Sequence, residues 1–228
     1  FLYNNYMSRQ IITTFIGKSV KFAARLRGGG SALPGLVVET LDPGYIARTL
    51  RDLPYGVVVI SGTNGKTTTT KIVVELLEAA GLRVFTNRTG SNFSRGVAAA
   101  LLGDVNAAGK LDTDIAVLEL DEAWAVKFVK SVPPRYSLLL NVMRDQLDRF
   151  GEIDAAANML GSIARATTDT VVLNRDDPRI FALQAHTAAT PTFFGTTTEL
   201  LTLMPTDDAL KTGGAEANDA ISADVLLT

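Results

Sequence analysis

The chain of 228 residues has no cysteine, one histidine, one tryptophan and almost no charge excess, with Lys+Arg 22 against Asp+Glu 24. Without cysteine it carries no disulfide, no thiolate zinc site and no cysteine nucleophile. A formal charge of −2 provides no basic field, so no nucleic-acid partner is expected. No apolar run approaches the roughly 18 residues that a membrane-spanning helix needs. No signal-peptide pattern opens the chain either, and the location expected is the cytoplasm. A hydrophobic share of 46% suits one compact domain, or one with a small appendage.

What is present centres on residues 56–70, Gly-Val-Val-Val-Ile-Ser-Gly-Thr-Asn-Gly-Lys-Thr-Thr-Thr-Thr. Val57 to Ile60 read as a buried strand, and the glycine-punctuated turn after them opens a helical pattern. In that order the backbone N–H groups around Gly62, Thr63, Asn64 and Gly65 can curl round a phosphate. Lys66 meets its outer oxygens, with Thr67 and Thr68 opening the helix and the Thr67 hydroxyl on a Mg²⁺ ion. Ile60 stands where the longer P-loop pattern carries glycine, so this is the shorter Gly-x-x-Gly-Lys-Thr form.

From Val57 to Phe194, strand-like runs alternate with helical patterns, which predicts an α/β fold: a P-loop-type, mostly parallel sheet with helices on both faces. Residues 55–195 form this expected domain. Residues 1–54 are a helical lead-in, with residues 1–6 left unassigned. Ile11 to Arg27 is expected to be a basic amphipathic helix. It is read as a solvated packing helix rather than a foot on an anionic membrane, because its charges do not gather on one face. Leu36 to Leu41 reads as a short extended piece, followed by an Asp42-Pro43-Gly44 turn and a small helix. Ile72, Val73, Leu76, Leu77 and Ala80 are expected to face inward from the helix that follows the glycine turn. Residues 196–228 are an irregular segment expected to lead into a further C-terminal part.

At the end of the third strand, Ile115 to Leu118 lead into Glu119, then Asp121 and Glu122. An acid there, opposite the P-loop hydroxyl, suits a hard cation, so Glu119 is the metal candidate. Asp121 is expected on the same face if the strand persists, with Glu122 supporting the next helix start. Trp124 is read as structural, and His186 receives no role. Thr86-Asn87-Arg-Thr89-Gly-Ser-Asn92 lies at another strand end, where Asn87, Thr89 and Asn92 are substrate-contact candidates or ordinary turn residues.

Residues 141–151, Asn-Val-Met-Arg-Asp-Gln-Leu-Asp-Arg-Phe-Gly, follow the fourth strand. Together with the glycine turn, Leu118-Glu-Leu-Asp-Glu-Ala123 and Asn174-Arg-Asp-Asp-Pro178, they resemble the central ATPase domain of the Mur ligase superfamily, over roughly residues 33 to 195. Gln146 stands where many of these ligases carry the histidine of their second metal, and Met159 where they carry a carbamylated lysine. Both count against an amino-acid-adding ligase. Asp145-Gln-Leu-Asp-Arg149, the loop after Thr86 and the acids around Glu119 instead resemble the MurT family, the synthetase subunit of lipid II isoglutaminyl synthase.

The resemblance implies an ATP- and Mg²⁺-dependent carbon–nitrogen ligase of peptidoglycan biosynthesis. It would amidate the D-glutamate α-carboxyl of lipid II to D-isoglutamine through an acyl phosphate. Lys66 and Glu119 would be catalytic, and Asn174 and Asp177 would join the glycine turn in holding ATP. Gln146 is a further metal candidate, and Asn141 and Asp145 further substrate contacts. The resemblance implies ammonia from a GatD-like glutamine amidotransferase in a heterodimer; as this chain has no cysteine for that chemistry, the source must be another chain or a missing segment. The lipid II acceptor implies a position peripheral to the inner membrane face. Zinc is not expected, because the four-cysteine ribbon of some MurT members is missing. Alternative readings are a Mur- or folylpolyglutamate-type amino-acid ligase and a non-catalytic nucleotide-binding module.

Overall fold

A computed structural model describes residues 2–27, 32–87, 94–143 and 152–196. Three helices come first: α1 (Leu2–Leu26), α2 (Ala32–Leu41) and α3 (Tyr45–Arg51). Then β1 (Val57–Ser61), α4 (Lys66–Ala79), β2 (Val84–Thr86), α5 (Ser94–Asp104), β3 (Ile115–Glu119) and α6 (Glu122–Ser131) follow. The rest is β4 (Tyr136–Leu139), α7 (Glu152–Ala166), β5 (Thr170–Asn174), α8 (Pro178–Ala182), a 3₁₀ turn (Leu183–His186) and β6 (Thr190–Phe194). The six strands pair in the order β2-β3-β1-β4-β5-β6, every pair parallel. From β1 the chain crosses to the edge strand β2, returns to β3 beside β1, and then adds β4, β5 and β6 outward on the other side, and this change of side leaves a crevice at the carboxyl ends of β1, β3 and β4.

The central strands β1 and β3 are almost wholly apolar because both of their faces are covered. Val57 and Val59 join the larger core with α3, α5, α6 and α7, whereas Val58 and Ile60 turn to the smaller one under α4. Ile60 is fully buried, and its burial contributes about 2–3 kcal/mol. Because α4 lies over its sheet face with little else beside it, only one stripe is covered. Thr70 and Val74 are buried and Val73 and Leu77 half-buried, while Ile72, Leu76 and Ala80 face out. The inward assignment of those three is thereby corrected. At the edge, β6 is exposed along its length and carries Pro191, a residue that edge strands tolerate. At the start of β3, Arg83 bonds Asp112 and Asp114 and holds the Asp114 carboxyl below the usual carboxylate range.

The lead-in also departs from expectation. Residues 36–41 belong to α2 rather than to an extended piece. Pro34 falls in the first turn, where its missing N–H costs nothing, and the β-branched Val37 and Val38 are overridden by packing. Gly35 lets α2 lie directly on α5, as an added Cβ would sit 1.9 Å from the Arg95 carbonyl oxygen. α2 also packs on α1.

Candidate active site

The glycine turn leaves β1 after Ser61 and enters α4 at Lys66. Gly62 has φ +142° and lies against the Asn141 backbone; Gly65, at φ +84°, is the left-handed residue that starts the helix. Either conformation is poorly open to residues with a Cβ. No side chain caps α4, so the amides of its first turn have no partner within the helix and point into the crevice mouth. The Lys66 ammonium bridges the loop, donating to the carbonyls of Gly62 (2.5 Å) and Thr63 (3.1 Å). Thr68 is exposed on the same first turn.

β1 and β3 are neighbours in register, Ile60 beside Glu119. That register sets the Thr67 hydroxyl to donate to the Glu119 carboxylate at 2.9 Å, across 52 residues of sequence. One hydroxyl and one carboxylate are hard oxygen donors of the kind Mg²⁺ takes in a nucleotide site, where phosphates and water fill the remaining positions. Among the described residues no group of three His, Cys, Asp or Glu could hold a metal ion by itself, so the donor set fits a metal that arrives with a polyphosphate.

Asn87 is buried and turned to the chain. Its amide donates to the Glu119 carbonyl (2.8 Å) and its side-chain oxygen accepts from the Glu119 N–H (3.0 Å). These two bonds fix where the Glu119 side chain starts. We expect Asn87→Ala to cost about 2–3 kcal/mol by leaving buried groups unpaired, read as a fall of several degrees in the thermal midpoint. An unchanged midpoint would show that the pair is not structurally needed.

Asn141 acts on the other wall of the crevice. Its side chain accepts from the Asn64 N–H (2.9 Å) and donates to the Asn64 carbonyl (3.1 Å), and its own carbonyl accepts from the Thr63 N–H. The Met143 N–H donates to the Thr63 hydroxyl. Asn174 donates to the Leu140 carbonyl and accepts from the Asp176 N–H. Asp177 caps α8 through Arg179 and Ile180 while accepting from the Val142 N–H at 2.7 Å. Asn141 and Met143 thus tie the P-loop to the end of β4, and Asn174 and Asp177 tie that segment to the end of β5. Asp121 caps α6 by accepting from the Ala123 N–H, with Glu122 in the first turn, so it does not stay on the Glu119 face as a strand residue would. Thr89, Asn92, Asp145 and Gln146 lie outside the described residues. Sequence reasoning missed Ser61, whose buried hydroxyl donates to the Leu120 carbonyl and closes β1 onto the end of β3. Its signal was a single hydroxyl ending an apolar run.

Residues 60–218 match the family described as the Mur ligase middle domain. The chain is 38% identical over 166 residues to the lipid II isoglutaminyl synthase (glutamine-hydrolyzing) subunit MurT of Streptococcus pneumoniae, covering 72% of this chain and 36% of that protein. It is 36% identical to a UDP-N-acetylmuramoylalanine–D-glutamate ligase of Desulfotalea psychrophila, covering 68% of this chain and 30% of that protein. Among solved structures, a MurF ligase of Thermotoga maritima in complex with ADP superposes with a TM-score of 0.57 at 25% identity, over 68% of this chain and 36% of that one. The chain therefore spans less than two fifths of the length of these relatives. Carrying the β1 glycine turn, the Thr67–Glu119 pair and the all-parallel sheet in the matched region, it belongs to the Mur ligase middle-domain family.

Proposed function

We propose that this chain is the nucleotide-binding part of an ATP-dependent ligase that converts a carboxylate to an amide, acting on the D-glutamate α-carboxyl of lipid II with ammonia from a glutaminase partner. The observation that carries the ligase reading is the Thr67 hydroxyl held on the Glu119 carboxylate at 2.9 Å beside Lys66. The likeness to a protein named as a MurT subunit of a glutamine-hydrolyzing synthase supports amidation and a partner chain as the ammonia source.

Mg-ATP supplies the phosphoryl group that activates the carboxylate. The acceptor carboxylate oxygen bonds to the γ-phosphorus as ADP leaves. Ammonia then attacks the acyl carbon, phosphate departs with the bonding pair, and one proton is released. The chain's own residues serve the first step. The first-turn amides of α4 and the Lys66 ammonium bind the phosphate oxygens and balance the charge that spreads over them. Thr67 and Glu119 hold the cation, Asn87 orients Glu119, and Asn141 keeps the loop in its curled form.

The direct test combines the full-length protein, a glutaminase subunit, lipid II, Mg-ATP and glutamine, and follows the acid-to-amide mass change. Glu119→Gln is expected to lower turnover about 100-fold and to raise the Mg²⁺ concentration needed for half-activation. Unchanged Mg²⁺ dependence would remove Glu119 from the metal site. A second reading, an amino-acid-adding ligase, draws on the likeness to the D-glutamate ligase; ATP turnover stimulated by an amino acid and not by ammonia would favour it.

A further inference from the structure

Helix α1 is packed with its polar side inward. Its buried face is formed by Gln10, Thr13, Thr14 and Gly17. Thr13 bonds the Asp42 carboxylate, Thr14 the Tyr45 hydroxyl and Gln10 the Thr49 hydroxyl and the Gly109 carbonyl. Gly17 lies against Leu102 and Val38 so closely that a Cβ would meet them at 2.6–2.8 Å. These contacts fix the rotation of the helix; among its residues with described burial they leave Ile11, Ile12, Phe15, Phe22 and Leu26 outside, with Ile16 and Val20 half-buried. Ile12 (58% exposed), Phe15 (73%), Phe22 (66%) and Leu26 (74%) recur at helical spacing along one outward stripe, interrupted only by small residues such as Ser19 and Ala23. A shallow groove lined by Thr14, Phe15, Lys18, Ser19, Phe22 and Ala107 follows its edge.

The charges flank this stripe instead of crossing it. Lys18, Lys21 and Arg25 lie on one side and Arg9 and Arg27 on the other. Lys18 and Lys21 bond the carbonyls of Val105 and Ala99, with Asp104 near Lys21, and Arg9 pairs with Asp42. Arg25 and Arg27 are exposed at the C-terminal end. No acid precedes Glu39, so the first 38 residues carry five cations and no carboxylate, whereas the remaining 190 carry 17 cations against 24 acids. The sequence is therefore lopsided in charge, and its acid-free N-terminal stretch is the one that carries the apolar stripe. Such a surface is attracted to, and oriented by, a negative plane.

We infer that α1 is a membrane-contact element that lays Ile12, Phe15, Phe22 and Leu26 into the interface of an anionic lipid bilayer, with Arg25 and Arg27 at the headgroups. The inference rests on the rotation and charge of α1, independently of the ligase reading. The orientation differs from that of a solvated packing helix, whose apolar side would face the protein.

Cosedimentation of the full-length protein with phosphatidylglycerol vesicles and with phosphatidylcholine vesicles tests it. The expected result is binding to the anionic vesicles, about tenfold weaker to the neutral ones, and weakened with added salt. Phe15→Ser/Phe22→Ser is expected to reduce anionic binding about tenfold or more with an unchanged melting temperature, since both rings are exposed. Arg25→Glu/Arg27→Glu should abolish the preference for anionic vesicles while keeping the apolar stripe. Absence of vesicle binding, or equal binding by wild type and the Phe15/Phe22 variant, would overturn the inference. So would a wild-type dimer that the Phe15/Phe22 variant dissociates, which would assign the stripe to a second copy. A loss of several degrees of thermal stability in that variant, without vesicle binding by wild type, would assign it to another part of the same protein.

Discussion

Replacing Lys66 with alanine is expected to lower acid-to-amide turnover by the full-length protein and its glutaminase by about 10³-fold, with a melting temperature close to that of wild type. A fixed cation aimed at charge that develops on phosphoryl oxygens acts in a site that excludes water, and the loss of such a group commonly removes two to five orders of magnitude in rate. Among the described residues the ammonium bonds only to carbonyls of its own loop, Gly62 and Thr63, so little folding energy depends on it. Those carbonyl bonds also point the side chain back across the turn where a phosphate would sit. Lys66→Arg should recover little, because the planar guanidinium cannot replace a compact point charge inside so short a loop. Turnover within a few-fold of wild type in Lys66→Ala would rule out phosphoryl transfer at this turn. Lost turnover with undiminished ATP binding would confine the role of Lys66 to the chemical step.

The second large effect concerns stability. Gly35→Ala adds a single methyl group, yet an ideal Cβ there lies 1.9 Å from the Arg95 carbonyl oxygen, 2.6 Å from its carbon and 2.8 Å from its Cα. These are backbone atoms of α5, so no side-chain rotation relieves the clash, and α2 must move away from α5. Overpacking of this kind costs about 3 kcal/mol, or a midpoint lower by about 6–12 °C for a domain of this size. Gly103→Ala, on the same helix α5, is the control. Its Cβ would meet only the Lys21 Nζ atom at 2.9 Å, the tip of a flexible side chain, and the better helix propensity of alanine offsets the adjustment. Its midpoint should stay within a few degrees of wild type. Equal effects from the two substitutions would mean that the α2–α5 contact is not a determinant of the lead-in.

The two substitutions probe different kinds of information. Lys66 could be singled out because a buried β-branched run, two glycines and a helix start are local features, readable from propensity and spacing. The same holds for β3 ending in Glu119 and for β5, whose limits Thr170–Asn174 follow from apolar runs bounded by turn residues. Gly35 could not be read this way. The value of a glycine between two helices depends on what crosses it, and Arg95 is 60 positions away. With that contact hidden, Val37 and Val38 made residues 36–41 look extended.

The site divides in the same manner. Sequence alone determined the type of each wall: a phosphate-binding turn, a carboxylate at a strand end, and polar residues after β4 and β5, since each is written in consecutive residues. Only the tertiary structure decided what they do to one another. The parallel register of β1 on β3 brings Thr67 to Glu119, burial at the end of β2 commits Asn87 to the Glu119 backbone, and the β4 end ties Asn141 to the loop. The rotation of α1 is the extreme case. Its composition announces an amphipathic helix, but which side faces the protein was settled by Gly17 against Val38 and Leu102 and by hydrogen bonds from Gln10, Thr13 and Thr14. Close backbone approach and buried polar pairing prevailed there over the burial of larger apolar side chains, because those partners come from α2, α3 and α5, and no local pattern encodes them.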